Sequence, residues 1–100
     1  MNKETMQTLL DANDRAVGLA LVVLYQRQTA DEKNVDGRTI EKNGVGFNGR
    51  DGEFGSSLAQ RVMNGWALSP KQIACGRRMV KKYHRQLIEE AEANGWLTAL

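Results

Sequence analysis

A run of apolar residues from Ala16 to Tyr25, broken only by Gly18, constrains the fold of this chain more than any other feature of its sequence. The run contains no proline, and Val17 and Leu21 recur at helical spacing. A helix that is apolar on every face must be covered from several sides, and a bilayer span takes about 20 residues. The run therefore predicts the central helix of a helical domain, covered by other helices of the chain or by a second copy of it.

Apolar spacing and terminal residues predict two helices, A and B, in the first two thirds of the chain. Helix A covers much of residues 4–33, and Asn13-Asp14 inside it offers a second helix start, because either side chain can cap one. Whether helix A is one helix or two stays open at this point. Helix B runs from about residue 53 to 64, where three apolar residues at i, i+4 and i+8 share one face. That face consists of Phe54, Leu58 and Val62.

Helix C has the clearest start in the sequence, at about residue 70. Ser69 is its N-cap, Pro70 occupies the first helical position, and Gln72 completes a capping box. Asn94-Gly95 is a typical helix end, so helix C extends to about residue 94. Its buried stripe consists of Ile73, Val80, Tyr83, Leu87 and Ala91.

The segment between helices A and B, residues 34–52, is rich in glycine, which disfavours a helix there. Phe47 lies between two Asn-Gly turns, so we expect an ordered loop with this ring anchored in the core. The string from Gly44 to Gly49 matches the G-x-G-x-x-G of dinucleotide sites, but no buried strand precedes it. Glu32 to Gly37 resembles the start of a calcium loop, but Asn43 stands where the essential carboxylate belongs. The sequence therefore predicts no cofactor or metal in this loop.

These elements together predict one all-α domain over residues 1–100. We expect a three- to four-helix orthogonal or bundle-like domain, with the Gly-rich ordered loop between helix A and helix B. Helices A and C are its long antiparallel elements. The expected core consists of Leu21, Leu24, Leu58, Val62, Ile73, Val80, Tyr83 and Leu87.

No arrangement of side chains in the sequence is typical of an active site. The single histidine, His84, has cations as helical neighbours instead of the carboxylate or nucleophile that a catalytic histidine needs. The single cysteine, Cys75, stands between Ala74 and Gly76, small residues that favour a buried structural thiol. One His and one Cys cannot hold zinc without several carboxylates. We therefore predict a protein that is not an enzyme, with no catalytic, cofactor-binding or metal-binding residue.

The positive charge of the chain collects in its C-terminal third. The whole chain has a net charge of +2, whereas residues 67–100 have six basic and three acidic side chains. The basic residues form a band on helix C with no acid among them, which suits contacts to phosphates. Acids of helix A such as Asp11, Asp14 or Asp31 would instead make the band an ordinary solvated face. The candidate nucleic-acid-binding residues are Lys71, Arg77, Arg78, Lys81, Lys82 and Arg85.

Two tryptophans, Trp66 and Trp96, stand at the two ends of helix C. Aromatic residues beside helix ends usually seal the core, and the alternative is that they stack on bases.

At the other end of the chain, Met1 to Glu4 is polar and offers no apolar signal segment, so a cytoplasmic location is expected.

Four short segments form a set that is more specific than any of its members. They are Tyr25-Gln26-Arg27-Gln28-Thr29-Ala30-Asp31-Glu32, Asn43 to Asp51, Leu68-Ser69-Pro70-Lys71-Gln72, and Lys82-Tyr83 with Gln86-Leu87. In this order, over roughly residues 21–88, the chain resembles small uncharacterised helical proteins and domains of bacteriophages and mobile elements. No established activity goes with that group, so the resemblance assigns no catalytic or binding residue. Such segments accompany DNA-processing proteins, which favours a role with nucleic acid.

The sequence thus leaves two functions open. One is a non-enzymatic accessory module of phage or mobile-element origin that contacts DNA or RNA through the basic face of helix C. The alternative is a module for protein–protein interaction or homodimerisation without nucleic-acid binding, in which a partner covers the apolar part of helix A. Neither implies a membrane or a small-molecule ligand.

Overall fold

The computed structural model describes residues 1–33 and 46–99 of the chain. Over these ranges the fold is all-α, as predicted, and contains no strand, but it has five α-helices where three or four were expected. None of these helices is both long enough and apolar enough to cross a membrane. The helices are α1 (Lys3–Ala12), α2 (Asp14–Lys33), α3 (Gly52–Met63), α4 (Pro70–Lys81) and α5 (His84–Asn94), and a 3-10 turn follows at Trp96–Ala99.

Predicted helix A is two helices, because Asn13 interrupts it. The backbone of Asn13 is extended, with φ −139° and ψ 110°. Its side-chain oxygen accepts hydrogen bonds from the backbone N–H groups of Arg15 (2.9 Å) and Ala16 (3.2 Å). Those N–H groups have no partner within the helix, so Asn13 is the N-cap that starts α2. Of the two alternatives for helix A, the continuous one is wrong.

Predicted helix C also divides, at Lys82 and Tyr83, so the prediction of one helix over 70–94 is wrong. The N–H groups of these two residues donate to carbonyls three residues back, which closes α4 with a tight turn. The Lys81 carbonyl, at the end of α4, accepts a hydrogen bond from the side-chain amide of Gln7 on α1, at 3.3 Å. The apolar stripe runs unbroken across this turn, since Val80, Tyr83 and Leu87 are all buried. Periodicity in the sequence therefore gave no sign of the break.

Helix α2 lies at the centre and contacts each of the other four α-helices. Every residue from Ala16 to Tyr25 is buried or half-buried within one chain. The apolar run is thus covered by the chain's own helices, and self-association through helix A stays a prediction. Six of the eight expected core residues are buried, while Val62 and Ile73 are half-buried. The six are Leu21, Leu24, Leu58, Val80, Tyr83 and Leu87.

The predicted apolar face of helix B is wrong at Phe54, whose side chain is 45% exposed. Helix α3 turns Gly55, Leu58 and Ala59 to the core instead. The glycine is needed there, because a Cβ at position 55 would lie 2.6 Å from the ring of Phe47. Without that Cβ the helix can approach the ring closely, and Phe54 is displaced to the edge.

Phe47 is anchored in the core, as predicted, with 5% of its surface exposed. Its ring packs edge-on against Tyr83, with the ring centroids 5.9 Å apart. Most of the predicted glycine-rich loop falls on residues 34–45, outside the described residues. The same holds for the start of the Gly44–Gly49 string and for most of the calcium-like segment.

Candidate interaction surface

Helices α3 and α4 form an antiparallel hairpin. A six-residue connection joins the end of α3 to the start of α4. At the opposite end, Lys82 Nζ lies 2.8 Å from Asp51 Oδ2, which ties the end of α4 to the start of α3. Between the two ends, Leu58 of α3 packs over Gly76 of α4, where a Cβ would lie 3.6 Å from Leu58 Cδ1. One side of the hairpin therefore packs into the core, and its other side faces outward.

The connection begins with a Schellman turn that fixes Trp66. Gly65 has φ +81°, which favours glycine, and its N–H donates to the Val62 carbonyl at 3.0 Å. The Trp66 N–H donates to the Arg61 carbonyl at 2.9 Å, and the Arg61 guanidinium lies 5.4 Å from the centre of the indole ring. The Trp66 side chain remains 63% exposed, so the expectation that it seals the core is wrong.

Trp96, in the 3-10 turn after α5, has the role that the sequence predicted for both tryptophans. It is half-buried against the core, and its indole N–H donates to the Leu87 carbonyl at 2.9 Å. The difference arises because Trp96 stands in a 3-10 turn folded back on α5 and α2, whereas Trp66 stands in a turn that leads outward to α4.

The start of α4 has the capping box that the sequence predicted. The Gln72 N–H donates to Ser69 Oγ at 3.1 Å, and the Ser69 N–H donates to Gln72 Oε1 at 2.9 Å. Both polar side chains are therefore engaged with the backbone. Lys71, in the same turn, is exposed.

Three of the six residues of the basic band are paired with acids. Arg77 donates to the Leu10 carbonyl at 2.8 Å and pairs with the Asp14 carboxylate. Lys81 Nζ lies 2.9 Å from Asp11 Oδ1, and Lys82 pairs with Asp51 as described above. Acids of predicted helix A thus balance one flank of the band, and the start of α3 supplies a third acid.

The other three cations of the band, Lys71, Arg78 and Arg85, are exposed. None of them forms an ion pair with an acid in the part of the chain that the structure describes. Lys71 and Arg78 are seven residues apart, hence on one face of α4 and separated by about 10 Å along its axis. Ala74 and Cys75, both exposed, lie between them. We call Lys71, Ala74, Cys75 and Arg78 the α4 face.

The expectation of a buried Cys75 is wrong, because its neighbour Gly76 takes the core-facing position. A Cβ at Gly76 would be in contact with Val17, Leu21 and Leu58. Successive residues of a helix point about 100° apart, so the thiol next to this position faces outward. His84 is half-buried in the first turn of α5.

A second polar cluster, which the sequence did not predict, holds residues 46–48 against three helices. The side-chain amide of Gln86 accepts from the Gly46 N–H (2.7 Å) and donates to its carbonyl (3.0 Å). The Phe47 N–H donates to Gln28 Oε1 at 3.2 Å. The Asn48 N–H donates to the Tyr83 hydroxyl at 3.0 Å, and that hydroxyl donates to the Asp51 carboxylate at 2.6 Å. We call Gln28, Asp51, Tyr83 and Gln86 the loop clamp.

The loop clamp draws on three of the four segments that carried the resemblance to phage and mobile-element proteins. Gln28 belongs to the first segment, Asp51 to the second, and Tyr83 and Gln86 to the fourth. The resemblance gave these residues no role, so the clamp is visible only in the structure.

Hydrogen bonds in the clamp favour the ionised form of Asp51, and burial favours the protonated form of Tyr83. Burial raises the pKa of Asp51, but hydrogen bonds from Lys82 and Tyr83 and the charges of Lys82 and Arg50 outweigh it and lower the pKa below its ordinary 3.8. Burial raises the pKa of Tyr83 to about 12, the Asn48 N–H opposes this shift, and Asp51 adds to it. Neither group is poised for proton transfer near pH 7, so the arrangement supports a structural role.

An apolar groove opens beside the hairpin, with a volume of about 370 Å³. Met63, which follows Val62 at the end of α3, is 51% exposed. The rim is polar, with Arg15 donating to the Ala99 carbonyl at 3.2 Å and Asp14 paired with Arg77. The groove is lined by Gly18, Leu19, Val62, Leu68 and Ile73.

Over residues 1–33 and 46–99, no three His, Cys, Asp or Glu side chains come together in a group that could hold a metal ion. Comparison with known proteins adds no assignment, because no protein-family model, curated protein or solved structure matches this chain.

Proposed function

We propose that this protein is a non-enzymatic accessory module, of phage or mobile-element origin, that contacts the sugar–phosphate backbone of nucleic acid through α4 and the first turn of α5. The observation that carries the proposal is the set of exposed cations without an acid partner among the described residues, Lys71, Arg78 and Arg85. Their charge is not used to hold the fold together, so it is available to phosphates.

The division of the basic band into paired and unpaired cations sets how steeply binding should depend on salt concentration. Each lysine or arginine that neutralises a phosphate releases counterions, and log K then falls linearly with log salt concentration. Three contacts give a slope of about −2 to −3, whereas all six cations of the band would give a slope of about −4 to −5. We expect the shallower slope, because Arg77, Lys81 and Lys82 are already paired.

The test is fluorescence anisotropy with labelled DNA and RNA over a salt series. The double variant Lys71→Ala/Arg78→Ala removes two free cations and should flatten the slope by about 1.5 to 2. It should weaken binding to any sequence equally, since phosphate contacts do not read bases. Lys82 is left unchanged, because its ammonium group holds Asp51.

The matched control is Lys3→Ala/Arg50→Ala, which removes two exposed charges outside the α4 face. It should leave the slope unchanged. A wild-type protein that binds no nucleic acid at low salt would overturn the proposal. A control variant that weakens binding as much as the test variant would also overturn it, because net charge alone would then explain the affinity.

The apolar groove favours a second candidate function, a protein-docking or homodimerisation module. Its lining offers an apolar surface, and Met63, the residue after Val62 of that lining, is exposed. Light scattering at micromolar concentration distinguishes a monomer of 11.2 kDa from a dimer. A dimer that dissociates in Met63→Glu, together with the absence of nucleic-acid binding, would make this the better assignment.

A further inference from the structure

Given nucleic-acid binding through α4, we infer that the ligand is single-stranded: Trp66 stacks on an unpaired base while Lys71 and Arg78 hold the flanking phosphates. The inference rests on the proposed function and adds the substrate class to it. Three observations carry it, namely the exposure of the indole, the hydrogen-bonded turn that holds its backbone, and its place in the connection that leads into α4.

The indole of Trp66 is the most exposed large apolar side chain in the described part of the chain, at 63%. An indole with an open face is the kind of side chain on which unpaired bases stack. Its only ring contact within those residues is the Arg61 guanidinium, 5.4 Å from the ring centre. Much of the indole surface therefore remains open to a base.

The backbone that carries the indole is held in place before any ligand arrives. The Schellman turn holds the Trp66 backbone through its bond to the Arg61 carbonyl, and the guanidinium of the same arginine lies over the ring. A ring that is already held loses little freedom when a base stacks on it. A cation beside the ring also strengthens stacking and attracts the phosphate that follows the base.

Trp66 lies in the six-residue connection between the end of α3 and the start of α4. Lys71 is five residues further along, within about 18 Å by the reach of the chain. A strand of a few nucleotides can therefore contact Trp66, Lys71 and Arg78 together.

A base in a duplex cannot use this arrangement. Its two faces are covered by neighbouring bases, so a duplex offers the surface only phosphates, whereas a single strand offers phosphates and an open base. The gain from one stacked base corresponds to a preference of about five- to a hundredfold for the single strand. Since Ser69 and Gln72 are engaged in the capping box, cations and an aromatic face are what the surface presents. These bind features shared by DNA and RNA, so we expect no preference for either sugar.

The experiment uses the full chain and three labelled probes of equal length: an oligothymidylate, an oligouridylate and a DNA duplex. Wild-type protein should bind both single strands about five- to a hundredfold more tightly than the duplex. Trp66→Ala should lose this preference while its binding to the duplex stays unchanged. Trp66→Phe, which keeps an aromatic face, should retain most of it, and Met63→Ala should match the wild type. Quenching of tryptophan fluorescence by the oligothymidylate should disappear in Trp66→Ala.

The outcomes separate this inference from the function on which it rests. No binding to any of the three probes removes both. Equal binding to duplex and single strand, with Trp66→Ala unaffected, removes the stacking role and leaves phosphate contact in place. A preference for one of the two single strands of more than about tenfold would overturn the statement that the sugar is not read. Circular dichroism of each variant verifies that the helices are intact.

Discussion

The polar side chains of the loop clamp and the cations of the α4 face are used in opposite ways. In the clamp, the carboxylate of Asp51, the hydroxyl of Tyr83 and the amide of Gln86 each meet a partner within the chain. On the α4 face, Lys71 and Arg78 have no acid partner in the described part of the chain. The polar groups of the loop clamp therefore hold the fold together, whereas the cations of the α4 face are left to solvent or a ligand.

This difference shows that neighbouring charged residues in a sequence can have different roles in the structure. Arg77 and Arg78 are neighbours, yet the first fastens α4 to the end of α1 and the second is exposed. Their directions differ by about 100°, which places one toward α1 and the other toward solvent. The count of basic residues overstates the free charge by the number of acids that face them.

The largest effect is expected on the clamp side, for Gly46→Ala. Gly46 has φ +74°, and an added Cβ would lie 2.4 Å from the Cβ of Gln28. Backbone strain and crowding together should lower the free energy of unfolding by about 2–5 kcal/mol. Urea unfolding followed by circular dichroism measures this. Gly49→Ala is the matched control, since nothing lies within 4 Å of its Cβ, and it should change the free energy by less than about 1 kcal/mol.

A smaller effect that depends on pH is expected for Asp51→Asn. The pKa of Asp51 is lower in the folded protein than its ordinary value of 3.8, so its ionised form stabilises the fold above about pH 4. That contribution is lost as the pH falls through the lowered pKa. Wild-type stability should therefore drop below pH 4 more steeply than that of Asp51→Asn. At neutral pH the variant should be less stable by about 1–3 kcal/mol.

The control for this prediction is Glu53→Gln, which removes an exposed carboxylate two residues away. It should follow the acid unfolding profile of the wild type. If Asp51→Asn shows the wild-type profile as well, the carboxylate is not what couples the clamp to pH.

The smallest effects are expected on α4, where Arg77→Ala and Arg78→Ala remove the same group from adjacent positions. Arg77→Ala loses the bond to the Leu10 carbonyl and the pair with Asp14, and should cost about 1–2 kcal/mol. Arg78→Ala should stay within about 0.5 kcal/mol of the wild type. Thermal unfolding of both variants decides the matter. Equal losses would mean that the two arginines are used alike.

Local signals in the sequence predicted the helix ends well. The capping box at Ser69 and the stop at Asn94-Gly95 are both present, the latter with Gly95 at φ +64°. The cap at Asn13 was recognised as one alternative, but its use depends on how α1 and α2 pack. The turn at Lys82 and Tyr83 was missed because α4 and α5 bury a continuous stripe.

The sequence predicted which residues form the candidate site, but not which of them pair with acids. The six basic residues of the band were identified, but the sequence does not tell which acids fold onto them. Cys75 was misplaced because small neighbours on both sides gave no direction, and Gly76 took the buried position. Gln86 was missed as a buried residue because glutamine is ordinarily exposed.

The loop clamp also bears on the order in which the protein folds. Its hydrogen bonds join residues that are 40 positions apart for Gly46 and Gln86 and 35 apart for Asn48 and Tyr83. Contacts of such separation require long loops to close, which is slow compared with the growth of a helix. Because the clamp holds residues 46–48 through Gln28 of α2 and Gln86 of α5, it can close only once these two helices have docked. If docking is the rate-limiting step, the clamp governs how long the native state lasts and not how fast it is reached.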